Sequence, residues 1–173
     1  MAITYKAIAT VTVGSGGAST ISFSSIPATY TDLVVKVSAR TNNPYNQDWL
    51  LMMFNNSNSS LKALRLSGTG SSADSSSNTG SQIWGATAVG ATATASTFSN
   101  ADIYVPNYTS SNYKSWSTDT VNEINATGTE VITNLFAGLW SSTAAITTVT
   151  LTPFSAGTIQ QYSTATLYGI KNS

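Results

Sequence analysis

Apolar and polar residues alternate with a period of two along most of the chain, the signature of strands with one face in a core. The pattern is clearest from Lys114 to Val121, where Trp116, Thr118 and Thr120 face one way and Ser117, Asp119 and Val121 the other. It recurs from Ser163 to Ile170, with Ala165, Leu167 and Gly169 set against Thr164, Thr166, Tyr168 and Ile170. Ile8 to Val13, Thr20 to Phe23, Gln82 to Val89, Thr97 to Val105, Val131 to Trp140 and Ile146 to Leu151 read as further strands. Asp32 to Ala39 has a continuous apolar centre, Leu33-Val34-Val35, as expected of a strand covered in part on both faces. Trp49 to Phe54 is the most apolar run; it is short for a helix, ends in Asn55 to Asn58, and reads as a buried strand.

The intervening segments supply the punctuation. Gly14-Ser15-Gly16-Gly17 reads as a hairpin turn, and Pro27 makes Ile26 to Tyr30 a connection, because proline cannot donate to a central ladder. Asn42-Asn43-Pro44 and Pro106-Asn107 end strands. Leu61 to Leu66 fits either a helical turn or a strand, since Leu64 and Leu66 alternate imperfectly with Lys62 and Arg65. Gly68 to Gly80 is a low-complexity run rich in Ser, Thr, Gly and Asn with one Asp, so residues 68–80 are expected to form a flexible or partner-contacting loop. About ten short strands and no convincing helix predict an all-β fold: one antiparallel β-sandwich domain over residues 1–173, jelly-roll-like.

Composition narrows the chemistry. The chain has no histidine and no cysteine, seven basic and seven acidic residues, and 54 serines and threonines in 173 positions. It therefore lacks the usual proton shuttle near neutral pH and the common soft metal ligands, and no enzyme activity, metal or cofactor is expected. A serine nucleophile needs a base; a Ser-Lys arrangement using Lys36, Lys62 or Lys114 has no recognisable spacing. Asp119 and Glu123 share a strand face but lie ~13 Å apart by strand rise, beyond the spacing of a glycosidase pair. The other carboxylates read as surface or turn residues.

No glycine-rich segment precedes a Lys-Ser or Lys-Thr pair, so no phosphate loop is present. Lys62 and Arg65 are too small a basic cluster for nucleic acid. No apolar run approaches the ~20 residues that span a bilayer, and the N-terminus lacks a basic and apolar leader, which predicts synthesis in a cytoplasm. Without a leader, Asn58-Ser59-Ser60, Asn107-Tyr108-Thr109 and Asn125-Ala126-Thr127 are chance matches to the glycosylation sequon. A chain of zero net charge also tends to associate, which suits life within an assembly.

The aromatic residues carry two readings. Trp49, Trp84, Trp116 and Trp140, with Tyr30, Tyr45, Tyr104, Tyr108 and Tyr113, could stack on sugars, helped by Asp102 and Asn107. Tryptophan in strands more often fills a core or a subunit interface. Trp49, Trp84, Tyr104, Tyr108, Trp116 and Trp140 are therefore the candidate interface or glycan contacts.

Four stretches resemble a family of small tailed-bacteriophage virion proteins. They are Ile21-Ser22-Phe23-Ser24-Ser25-Ile26-Pro27-Ala28-Thr29-Tyr30-Thr31-Asp32-Leu33; Phe98-Ser99-Asn100-Ala101-Asp102-Ile103-Tyr104-Val105-Pro106-Asn107-Tyr108; Ala137-Gly138-Leu139-Trp140-Ser141-Ser142-Thr143-Ala144-Ala145-Ile146-Thr147; and Ala165-Thr166-Leu167-Tyr168-Gly169-Ile170-Lys171. The resemblance implies a structural protein of the virion. One role it implies is a capsid decoration, or cement, protein that binds the major capsid protein on the capsid exterior as a homotrimer and braces the shell. The other is a tail or fibre module that contacts host-surface glycans. The family offers no motif from which a functional residue transfers.

Overall fold

The computed structural model describes residues 4–57, 59–80, 83–126, 129–154 and 157–171. They form twelve strands: β1 (Thr4–Thr12), β2 (Ile21–Phe23), β3 (Asp32–Ser38), β4 (Gln47–Phe54), β5 (Leu61–Gly68), β6 (Ala73–Gly80), β7 (Ile83–Val89), β8 (Asn100–Val105), β9 (Lys114–Ala126), β10 (Thr129–Trp140), β11 (Val149–Pro153) and β12 (Thr164–Lys171). No helix occurs among the described residues. Gln82, where the sequence places the start of a strand, lies outside the described residues, as do Met1 to Ile3 and Asn58 and Thr127 of two sequons.

An eight-stranded sheet runs in the order β1-β12-β3-β8-β9-β10-β5-β6, and a four-stranded sheet in the order β2-β11-β4-β7. Neighbours are antiparallel throughout. The all-β architecture expected from the sequence is therefore present, as two antiparallel sheets of unequal width.

Period two sets the faces of the wide sheet. In β8, Ala101, Ile103 and Val105 are buried while Asp102 and Tyr104 are exposed. In β9, Trp116, Thr118 and Thr120 are buried and Ser117 and Asp119 exposed. Val34, at an outward position of β3, lies opposite Tyr104 on one side and Tyr168 on the other and is buried. That is why the sequence of β3 shows an unbroken apolar centre. The narrow sheet is the more enclosed: all of Ile83–Val89 except Trp84, and all of Val149–Pro153 except Thr152, are buried. Leu50, Met52 and Phe54 of β4 join Ile103, Leu151, Leu167, Trp116 and Trp140 in one core, with Phe54 5.7 Å from Trp140 between ring centroids.

Hydroxyls also enter this core. Thr118 Oγ1 donates to the Gly85 carbonyl at 2.7 Å, Thr87 and Thr120 share a bond of 2.8 Å, and Thr87 donates to Asn122 Oδ1 at 2.9 Å. These bonds tie β9 of the wide sheet to β7 of the narrow one. Buried polar groups are tolerated when paired in this way. Thr118→Val keeps the shape but removes the donor, and is expected to destabilise the protein by about 1–2 kcal/mol. Urea denaturation with an unchanged slope would register it; an unchanged midpoint would mean that the bond contributes nothing net.

Three expectations are corrected. Gly14 to Gly17 does turn, with the Gly17 N–H donating to the Gly14 carbonyl at 3.0 Å, but it is no hairpin. β1 pairs with β12 and β2 with β11, so the turn carries the chain from one sheet to the other. Ile146 lies in a loop, its N–H on the Tyr108 carbonyl at 2.9 Å, and the strand begins only at Val149. Residues 68–80 are mostly strand: after a tight turn closed by the Thr69 N–H on the Ser72 carbonyl, β6 pairs with β5 in unbroken register from Gly68↔Ala73 to Leu61↔Gly80. Its backbone gains ladder hydrogen bonds that do not depend on its poor strand-forming side chains.

Candidate functional site

The six aromatic candidates divide by burial. Tyr108, Trp116 and Trp140 are core residues, almost wholly buried, and so cannot present a face to a glycan or to another chain. Tyr108 donates its hydroxyl to the Pro27 carbonyl, and burial raises its pKa above the ordinary phenolic value. Trp49 and Trp84 are half-buried and stacked, with centroids 5.2 Å apart. Phe136 meets Trp49 edge-on at 6.1 Å, and the Arg65 guanidinium sits 5.0 Å from the Trp49 centroid and 5.9 Å from that of Trp84. Asp74 of β6 forms an ion pair with the same guanidinium. The two indoles are thus engaged with partners within the chain.

Tyr104 alone of the six is exposed, and its hydroxyl donates to Asp32 Oδ2 at 3.0 Å. The structure does not bring the six together as one platform.

The sheet registers instead reveal an apolar stripe on the outer face of the wide sheet. In β10, Asn134, Phe136 and Trp140 point inward, while Val131, Leu135, Ala137 and Leu139 are exposed. In β5, Leu61, Ala63 and Ser67 are buried, and Lys62, Leu64 and Leu66 are exposed. Leu66 stands opposite Leu135, and Leu64 opposite Ala137. Leu64 and Leu66 expose 63% and 59% of their surfaces, high values for leucines that adjoin one another across a sheet.

On the β6 side the stripe is bordered by Ser75, Ser77 and Thr79, and on the β9 side by Ser115, Ser117 and Asp119. Shallow grooves run along it, one lined by Leu64, Leu66, Ser75, Ser77 and Leu135, the other by Lys62, Leu64, Thr79 and Leu139. Contiguous exposed apolar surface of this kind marks a site of interaction. The sequence hid it because leucines in an alternating strand are ordinarily assigned to the core. Here the inward positions of β5 are taken by Leu61, Ala63, Arg65 and Ser67, with Arg65 capping the tryptophan pair.

Beyond the stripe the outer face is mixed, with Val34, Tyr104 and Tyr168 side by side and an ion pair among them. Lys36 of β3 binds both oxygens of Asp102 on β8, at 2.7 and 2.9 Å, and that hydrogen bond holds the lysine above its ordinary pKa. Asp102 stands directly opposite Asp119 of β9, a carboxylate pair that linear spacing could not reveal. The pair lies on an exposed sheet face, and Lys36 neutralises one member. Among the described residues, no three Asp, Glu, His or Cys side chains gather as a metal site.

Glu123, the other acid of the spacing argument, ties down the chain around Thr94. It accepts from the Thr94 N–H at 3.0 Å, the Thr94 hydroxyl at 2.9 Å and the Asn125 N–H at 2.5 Å. Desolvation raises its pKa, but the bonds from Thr94, Asn125 and Thr97 outweigh it and the net shift is downward from 4.5. A depressed carboxylate contributes stability that is complete above its ordinary value and is lost as pH falls through the lowered one. Melting temperatures measured from pH 7 to pH 3 should therefore fall less steeply in Glu123→Gln than in the parent chain. Parallel curves would show that the glutamate adds nothing.

The chain matches no protein-family model and no curated protein sequence.

Proposed function

We propose that this chain is a structural protein of a bacteriophage virion, a capsid decoration protein that binds the outer shell and stabilises it. The observation that carries the reading is the exposed Leu64, Leu66, Leu135 and Leu139 stripe within a sheet face bordered by serine and threonine. The resemblance of the four stretches to virion proteins supplies the class of partner, the major capsid protein. Contacts built from leucines and hydroxyls are weakly screened by salt. With no histidine in the chain, no imidazole switches them near neutral pH.

Locating the chain in the particle tests the reading. Hundreds of copies over the shell are expected; a few copies confined to the tail would replace this reading with the tail or fibre role. The stripe is tested separately with Leu64→Asp and Leu66→Asp combined. The double variant should fold, because both side chains are largely solvent-exposed already, yet fail to be retained on purified shells. The parent chain should stay bound through high salt. Its release by modest salt would count against an apolar contact.

A further inference from the structure

We infer that β6 pairs antiparallel with β6 of a second copy of this chain, joining two wide sheets into one continuous sheet across a two-fold axis. The inference goes beyond the virion reading and does not depend on it. It begins from the four sheet edges, β1 and β6 in the wide sheet and β2 and β7 in the narrow one. Exposed edges template strand addition, and chains blunt them with bulges, lysines, short strands or cover.

Three of the four edges are blunted. β1 carries Lys6 and a register break between Ala7 and Ala9. β2 is three residues long. β7 is engaged: the Thr41 N–H donates to the Val89 carbonyl at 2.8 Å, the Val89 N–H to the Ala39 carbonyl at 3.2 Å, and the Gly85 carbonyl takes Thr118.

β6 has none of these devices. It runs eight residues, Ala-Asp-Ser-Ser-Ser-Asn-Thr-Gly, in unbroken register with β5, with no proline, lysine or arginine. Its one charge, Asp74, is held by Arg65 of the neighbouring strand. Its outer backbone edge makes no hydrogen bond to any described residue.

A second copy fits this edge by charge and by symmetry. A two-fold axis perpendicular to the sheet keeps the outer faces together, so residues of like face must meet. Registers centred on Ser76 or on Ser77 satisfy this and use all but one residue of the strand. They set Asp74 opposite Asn78 or Gly80, so no like charges meet, and hydroxyl and amide side chains face one another, as stabilising cross-strand pairs do. The chain has zero net charge, so two copies do not repel on approach. The interface is isologous and closes at two subunits, in place of the threefold assembly implied by the resemblance to virion proteins.

Sedimentation velocity of the purified full chain over a range of concentrations tests the pairing. A dimer is expected. Ser75→Lys with Ser77→Lys places lysine opposite lysine in either register, and both positions are solvent-exposed. This variant should be monomeric with an unchanged circular dichroism spectrum, and so should Ser75→Glu with Ser77→Glu. Mixing the two variants should restore a dimer of one Lys chain and one Glu chain. A monomeric or trimeric parent, or a Lys variant that still dimerises, would overturn the inference. Neither result bears on where the chain sits in a particle.

Discussion

Gly138→Ala is expected to destabilise the protein by about 1–3 kcal/mol, and Trp116→Ala by about 3–5 kcal/mol. Gly138 of β10 stands directly opposite Trp116 of β9, and a methyl group built on Gly138 would fall inside the indole ring. The indole cannot swing away, because Trp116 is 2% exposed and packed within the core. The glycine is there to seat the ring against the strand, and the loss from Trp116→Ala is the cavity the ring leaves. The two changes should therefore couple. In a Trp116→Ala background the added methyl meets empty space, and Gly138→Ala should cost nothing or stabilise slightly, since alanine restricts the unfolded chain more than glycine. A double-mutant cycle by urea denaturation measures this. Costs that simply add would show that the ring contact is not what makes position 138 a glycine.

Arg40→Met is expected to cost about 1.5–3 kcal/mol and to loosen the connection between β7 and β8. Arg40 Nη1 donates to the Thr94 carbonyl at 2.8 Å, the Thr97 carbonyl at 3.2 Å and the Thr97 hydroxyl at 3.3 Å. Nη2 donates to the Ala93 carbonyl at 3.1 Å and the Ala91 carbonyl at 3.2 Å. One planar fork thus gathers a segment that belongs to neither sheet. Lysine retains the charge but offers a single ammonium without the fork, so Arg40→Lys should recover only part of the stability. Amide hydrogen exchange should accelerate over residues 91–97 in Arg40→Met, with the core strands little changed. Equal acceleration across the whole chain would instead place Arg40 in the global core, and no acceleration would sink the clamp.

Much of the scaffold was legible because a strand writes its faces into its sequence. β8, β9 and β12 could be read from alternation alone, since one face meets the core and the other meets water. The enclosed β4 was legible for a different reason: a short run this apolar has nowhere to go but inside. The candidate site was not legible. For Tyr108, Trp116 and Trp140 the sequence left core, interface and glycan contact side by side, and the structure places all three in the core. Leu64 and Leu66 lay in a run that fitted a helical turn as well as a strand, and the structure turns them outward because Arg65, between them, covers Trp49 and Trp84.

An all-β chain, the approximate position of most strands, and a chemistry without histidine or cysteine can all be read along the chain. These follow from local facts: period, turn residues and the inventory of side chains. Folding in three dimensions set which strands are neighbours, which of two alternating faces is covered, and that some threonines bridge the sheets while Leu64, Leu66, Leu135 and Leu139 remain outside. It also made a strand of Ala73–Gly80, whose residues have little intrinsic preference for one. Strand pairing is made by backbone groups common to every sequence, and burial by whatever lies opposite, so neither is written in the segment that experiences it.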